Sequence, residues 1–150
     1  LLIRDWEAVK EREPEMLWWR QTPICMYDDG VPHPALSMSK LGWGASSVSG
    51  TTVIRRSAIG SSQDRRLLFF AIGDHVTGKS IAEAMHHAGS HSIAQLDVNF
   101  SYPKFLSYEH VAPGSKELKP VPLTDNFEFE PDQYVGGRSQ RDFFYLTRRP

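Results

Sequence analysis

Two apolar runs stand out along the chain, "TTVIRRSAIG" at 51–60 and "RRLLFFAIG" at 65–73, both rich in β-branched or aromatic residues. The polar "SSQD" between them is short, which predicts an antiparallel hairpin, the strongest strand signal in the sequence. After Lys79 the period changes: Ile81, Ala84, Met85 and Ala88 recur at i, i+3, i+4 and i+7, and Gly89 stands where a helix ends. One helix is expected there. "SIAQLDV" at 92–98 then reads as a buried strand and "KFLSYE" at 104–109 as another. The Pro-rich stretch from Pro113 to Pro122 reads as a loop, and "DFFYLTRR" at 142–149 as a last strand.

The front of the chain is patterned differently. "RDWEAVKERE" at 4–13 is charged and helix-compatible up to Pro14, but its apolar positions are too sparse to bury much, so residues 1–22 read as an arm or linker. From Thr22 to Thr52 the Pro, Gly and Ser content points to brief strands joined by turns, with Asp28, Asp29 and Gly30 as one turn and Ser49 and Gly50 as another. Residues 23–150 are expected to form one α+β domain: a mixed, largely antiparallel sheet, one principal helix and long surface loops.

Composition narrows the function. A chain of 150 residues can bury roughly two thirds of the surface its unfolded form exposes. With 40% hydrophobic and 23% charged residues and a net charge of −1, it is neither a disordered segment nor a basic nucleic-acid binder. The single Cys25 leaves no internal disulfide, and no apolar run approaches the ~18 residues of a membrane span. The opening "LLIRDWEAVK" lacks the basic start and apolar run of a signal peptide.

"GDHVTGKS" at 73–80 fits the phosphate-loop pattern G-x-x-x-x-G-K-[ST] at every specified position. A strand precedes it, a helix follows it, and "IAQLD" offers an acid for Mg²⁺. Such a loop also needs a parallel sheet built from several strand–helix crossovers, whereas this chain offers one helix and a hairpin-paired strand. The same letters have a plainer account: Gly73 and Gly78 suit turns, Ser80 with Glu83 spells a capping box, and Lys79 is a solvated neighbour. Nucleotide binding is therefore the third of three readings.

A different resemblance spans more of the chain. The run from Val53 to Glu109 resembles the phosphodiester glycosidase family, whose pattern is an Arg-[Thr/Ser]-Ala-[Ile/Leu]-Gly strand, a second apolar strand, a turn into a helix, and a strand ending Leu-Asp-Gly-Gly-Gly-Ser. Arg56, Ser57, Ala58, Ile59 and Gly60 match the first element, and Leu96 and Asp97 begin the last. Two departures are visible. Val98, Asn99 and Phe100 stand in place of the three glycines before Ser101, and the family's early Asn-Gly-Gly-Phe-Phe-like segment has no counterpart, as if the front of the domain were missing.

The resemblance implies cleavage, or binding, of a sugar-1-phosphodiester or phosphorylated polysaccharide, in a secreted or periplasmic setting. Breaking the anomeric bond to phosphate develops oxocarbenium character that a carboxylate stabilises, while the phosphate is already an acidic leaving group. Asp97 is the candidate carboxylate and Arg56 the candidate anion clamp, because a guanidinium fork matches phosphate oxygens. Ser57, Asn99 and Ser101 are candidate substrate-binding residues. No metal and no cofactor is called for. The expected partner is carbohydrate or phosphorylated sugar, with no nucleic acid and no membrane span. The alternative reading is a non-catalytic carbohydrate-binding or structural module that kept the fold without the glycine loop.

Three other features have bland accounts. His87 and His91 have a metal-like i,i+4 spacing, but Gly89 should end the helix between them, leaving surface histidines beside His86. Trp18, Trp19, Trp43, Phe100, Tyr102, Phe105 and Tyr108 could stack on sugar rings, although aromatics more often fill cores and anchor loops. "NFS" at 99–101 has N-glycosylation spacing, but lies where the family's active loop would be and is read as coincidence.

Overall fold

The computed structural model of the chain describes residues 1–23, 25–37, 50–124, 130–138 and 143–147. They fall in two compact units, Leu1–Pro103 and Lys104–Pro150. The fold is α+β, and every strand pairing among the described residues is antiparallel.

The first unit is built on the expected hairpin. Strand β3 (Ile54–Ser61) pairs with β4 (Leu68–Val76) through the turn after Ser61, where Arg65 takes φ 59° and Asp64 accepts from the Ser62 hydroxyl and the Arg66 amide. On its other side β3 pairs with β5 (Ser92–Val98), and β5 pairs in turn with β1 (Cys25–Asp28). A two-residue β2 (Val31–Pro32) closes the order β2-β1-β5-β3-β4. The "DDG" turn is where it was expected, between β1 and β2. Asp29 and Gly30 both take positive φ there, and the Gly30 amide donates to the His91 carbonyl at 2.8 Å.

Helix α1 (Gly78–His87) crosses from β4 to β5 and covers one face of the sheet. Its buried residues are Gly78, Ile81, Ala82 and Met85, which close a core with Met26, Tyr27, Ala58 and Ile93. The buried stripe is thus the expected i, i+3, i+4, i+7 pattern begun three residues earlier: Ile81 and Met85 are buried, whereas Ala84 and Ala88 are exposed. The helix starts early enough to bury Gly78, whose amide donates to the Gly50 carbonyl at 2.9 Å, and this sets the stripe at 78, 81, 82 and 85. Gly89 ends it in the left-handed region at φ 101°.

The front of the chain belongs to this unit. It forms two 3₁₀ turns, Trp6–Ala8 and Lys10–Glu15, with Pro14 inside the second and no buried residue in either. Just ahead of them Ile3 is buried, Arg4 is ion-paired with Asp28, and the Asp5 amide reaches the Asp28 carboxylate. Ile3 buries the start of this segment, and the first two residues of the charged run, Arg4 and Asp5, tie it to β1.

In the second unit β6 (Leu106–His110) pairs with β7 (Leu118–Pro122). The Pro-rich stretch read as loop therefore ends in a strand. In a two-stranded ribbon both strands are edges, where the missing amides of Pro120 and Pro122 are tolerated. A short helix α2 (Asp132–Val135) follows, and the Tyr108 hydroxyl donates to the Tyr134 carbonyl at 3.2 Å. Residues 143–147 of the expected last strand carry no regular structure; its remaining residues, like Trp43, lie outside the described ones.

Candidate functional site

The register of β3 with its two neighbours decides what meets at the Asp97 end of the sheet. Across β5, Ala58 opposes Gln95 and Arg56 opposes Val98, so Leu96 and Asp97 together face Ser57 in a bulge. Across β4, Arg56 opposes Gly73 and Ile54 opposes Val76, so Asp74 and His75 together face Arg55 in a second bulge. Directly opposed residues share a face of the sheet, and successive residues alternate. Arg56, Val98 and Gly73 therefore share one face. Asp97, next to Val98, is turned to the other, which carries Arg55 and Ser57.

Arg56, expected as the anion clamp, is a buried tie. It is 0% exposed on the helix-covered face. Its Nε donates to the Val76 carbonyl at 3.2 Å, Nη1 to Gln95 Oε1 at 3.0 Å and Nη2 to the Thr52 carbonyl at 2.9 Å. These bonds join β3 to β5, to the end of β4 and to the segment leading into β3. Burial pulls the guanidinium pKa below its ordinary value. Arg56 and Asp97 do not converge on one cleft, because sheet alternation sets them on opposite faces.

The guanidinium on the Asp97 face is Arg55, one residue earlier. Its Nη2 lies 3.1 Å from Asp74 Oδ2, and its Nη1 donates to the Phe100 carbonyl at 2.7 Å. Arg55 thus clamps the end of β4 to the turn after β5, across its own strand. The hydrogen bond from Arg55, helped by the charges of Arg55 and His75, holds the Asp74 pKa below its ordinary value. His75 follows, with Nδ1 3.4 Å from Asp74 Oδ1 and its ring 6.2 Å from that of Phe100. Arg55, Asp74, His75 and Phe100 are therefore neighbours, Asp97 lies on the same face across Ser57, and all but Arg55 are exposed.

The remaining expected residues shape this place. The Ser57 hydroxyl donates to the Asp97 carbonyl at 3.1 Å and fixes the bulge that aims Asp97. Asn99 Oδ1 accepts from the amides of Ser101 and Tyr102, an Asx turn that stands where the resemblance implies glycines. Asn99 and Ser101 meet in that turn and hold the backbone beyond β5. Sequence reasoning missed Arg55, Asp74 and His75. The available signal was that "RR" at 55–56 must split between two faces of a strand, but only the bulges reveal which face Asp97 takes.

The phosphate-loop letters are occupied elsewhere. Gly73 is a strand residue whose added Cβ would sit 2.9 Å from a Val76 methyl. Thr77, in extended conformation, is the N-cap of α1, and the capping box links Thr77 with Ser80 rather than Ser80 with Glu83: Thr77 Oγ1 accepts from the Ser80 amide at 3.1 Å and Ser80 Oγ from the Thr77 amide at 2.9 Å. The helix begins one turn earlier than the S-x-x-E spelling implied. Glu83 instead lies 3.7 Å from Lys79.

Other reactive side chains are committed locally. Burial first, then the Asp28 and Asp5 charges, push the Cys25 thiol up to about 12, which removes it as a nucleophile at neutral pH. His86 stacks on Tyr27 at 4.5 Å, and His91 lies 3.3 Å from Asp29. No set of three or more metal-ligating side chains gathers among the described residues. Comparison with protein-family models, with curated proteins and with solved structures finds no match to the chain.

Proposed function

We propose that the chain is a phosphodiester-glycosidase-like domain that acts on, or holds, a sugar-1-phosphodiester at the end of the sheet where Asp97, Arg55, Asp74 and His75 gather. One observation carries the reading: the register gives Asp97 an exposed carboxylate on the same face as a guanidinium, at the place where the family resemblance puts its acid. In this reading Asp97 stabilises positive charge at the anomeric carbon as the C1–O bond to phosphate breaks, and water supplies the new hydroxyl. Arg55 sets the loop, Ser57 sets the bulge, and Asn99 with Ser101 shapes the wall beyond. The carbohydrate partner and the extracellular or envelope setting come from the resemblance alone.

A second reading, binding without hydrolysis, has its own support. Arg55 is already paired with Asp74, and the Asn99 turn replaces a glycine loop that would let backbone approach a ligand closely.

The test is turnover of the methyl phosphodiester of N-acetylglucosamine 1-phosphate, followed as methyl phosphate release by phosphorus NMR. Wild type is expected to release methyl phosphate, and Asp97→Ala to do so at least tenfold more slowly. Equal rates would remove Asp97 as the acid. Binding without release would select the second reading.

A further inference from the structure

Three non-glycine residues among the described ones take a left-handed conformation: Asp29 at φ 53°, Arg65 at 59° and His75 at 56°. The first two sit in hairpin turns, where positive φ reverses the chain. His75 sits inside β4, next to its last residue, in the bulge it forms with Asp74 opposite Arg55. A left-handed non-glycine residue is strained and persists where its surroundings hold it. Asp74 and Arg55 hold this one: Arg55 anchors the Asp74 carboxylate at 3.1 Å, and Asp74 faces the imidazole Nδ1 at 3.4 Å. The strain leaves the His75 side chain 73% exposed beside Phe100, at the Asp97 end of the sheet.

Charge decides what this arrangement is for. Of the groups gathered there, Arg55 is balanced by Asp74, and Asp97 adds a further negative charge. A phosphodiester brought to that set meets net repulsion unless a cation joins it. The exposed candidate is the His75 imidazole, whose Nδ1 lies 3.4 Å from Asp74 Oδ1.

We propose that His75 is the phosphate-binding cation of this site, positioned by Asp74. The proposal rests on the sugar-phosphodiester reading and adds the residue that recognises the phosphate. The imidazolium Nδ1–H is directed to Asp74, and Nε2–H donates to a phosphate oxygen, a charge-assisted bond that a neutral sugar cannot accept in the same way. No bond is made or broken by His75.

The experiment is calorimetric titration of the full chain with two probes, the methyl phosphodiester of N-acetylglucosamine 1-phosphate and the uncharged methyl glycoside of N-acetylglucosamine. His75→Gln is expected to weaken the phosphodiester at least tenfold and leave the neutral glycoside unchanged, with His75→Lys restoring part of the loss. His75→Gly, which suits φ 56°, is expected to lose the phosphodiester while the melting temperature holds or rises. Equal phosphodiester affinity in wild type and His75→Gln would overturn the role of His75 and leave the sugar-phosphodiester reading standing. No binding of either probe by wild type would overturn both. A drop in melting temperature for His75→Gly, with both probes weakened alike, would make His75 a structural residue and overturn the proposal.

Discussion

Arg56→Ala is expected to lower the stability of the first unit by about 3 to 5 kcal/mol, read as a fall in the urea midpoint. The Arg56 guanidinium supplies the hydrogens that satisfy the Thr52 and Val76 carbonyls and Gln95 Oε1 in a place closed to solvent. Each buried acceptor left without a donor costs about 1–3 kcal/mol, and the void adds to that to the extent that the surroundings fail to close over it. Arg56→Met fills the space and leaves the acceptors bare, so it should recover only part of the loss. An arginine acting as an anion clamp would behave the other way, with the midpoint unchanged and only ligand affinity lost. The two variants therefore separate a structural tie from a binding residue without any substrate.

Gly60→Val is expected to be as damaging, by about 3 kcal/mol or more, for a reason of space. A Cβ on Gly60 would land on Ser90 Oγ, 2.9 Å from the Ser92 carbonyl oxygen and 3.2 Å from Met85 Cε. The Ser90 hydroxyl is itself buried and donates to that same Ser92 carbonyl at 3.3 Å, so it cannot swing aside freely, and the carbonyl belongs to β5. Overpacking a dense site costs about 1–3 kcal/mol for small additions, and valine adds two further carbons. An unchanged unfolding midpoint for Gly60→Val would mean that β3 and the end of α1 do not pack this closely.

The hairpin, the helix and the strand "SIAQLDV" were legible because each rests on a local signal: β-branched runs around a polar turn, a 3.6-residue period, and a glycine stop. What the sequence does not carry is register. The bulges at Leu96–Asp97 and Asp74–His75 each shift a strand by one residue, and one residue exchanges the faces. That is why Arg56 reads as a partner of Asp97 in the sequence while the pairing gives the shared face to Arg55. The capping box slipped for a similar reason: Thr77 and Ser80 satisfy it one turn before Ser80 and Glu83 would. Pro120 and Pro122 pointed to a loop by composition, yet a two-stranded ribbon accommodates both. The value of Asp74 and His75 depends on a backbone angle and an ion pair, neither of which any spacing rule encodes.

The central claim is a proposed location: a phosphorylated sugar bound where β4 and β5 end, on the face of Arg55 and Asp97. Amide shift mapping on the isotope-labelled chain, titrated with the methyl phosphodiester of N-acetylglucosamine 1-phosphate, tests it most directly. The expected result is a cluster of perturbed amides at Arg55, Asp74, His75, Asp97 and Phe100, with those of Gly78 to Ser80 unmoved. Perturbation centred on Gly78, Lys79 and Ser80, or none at millimolar ligand, would contradict it.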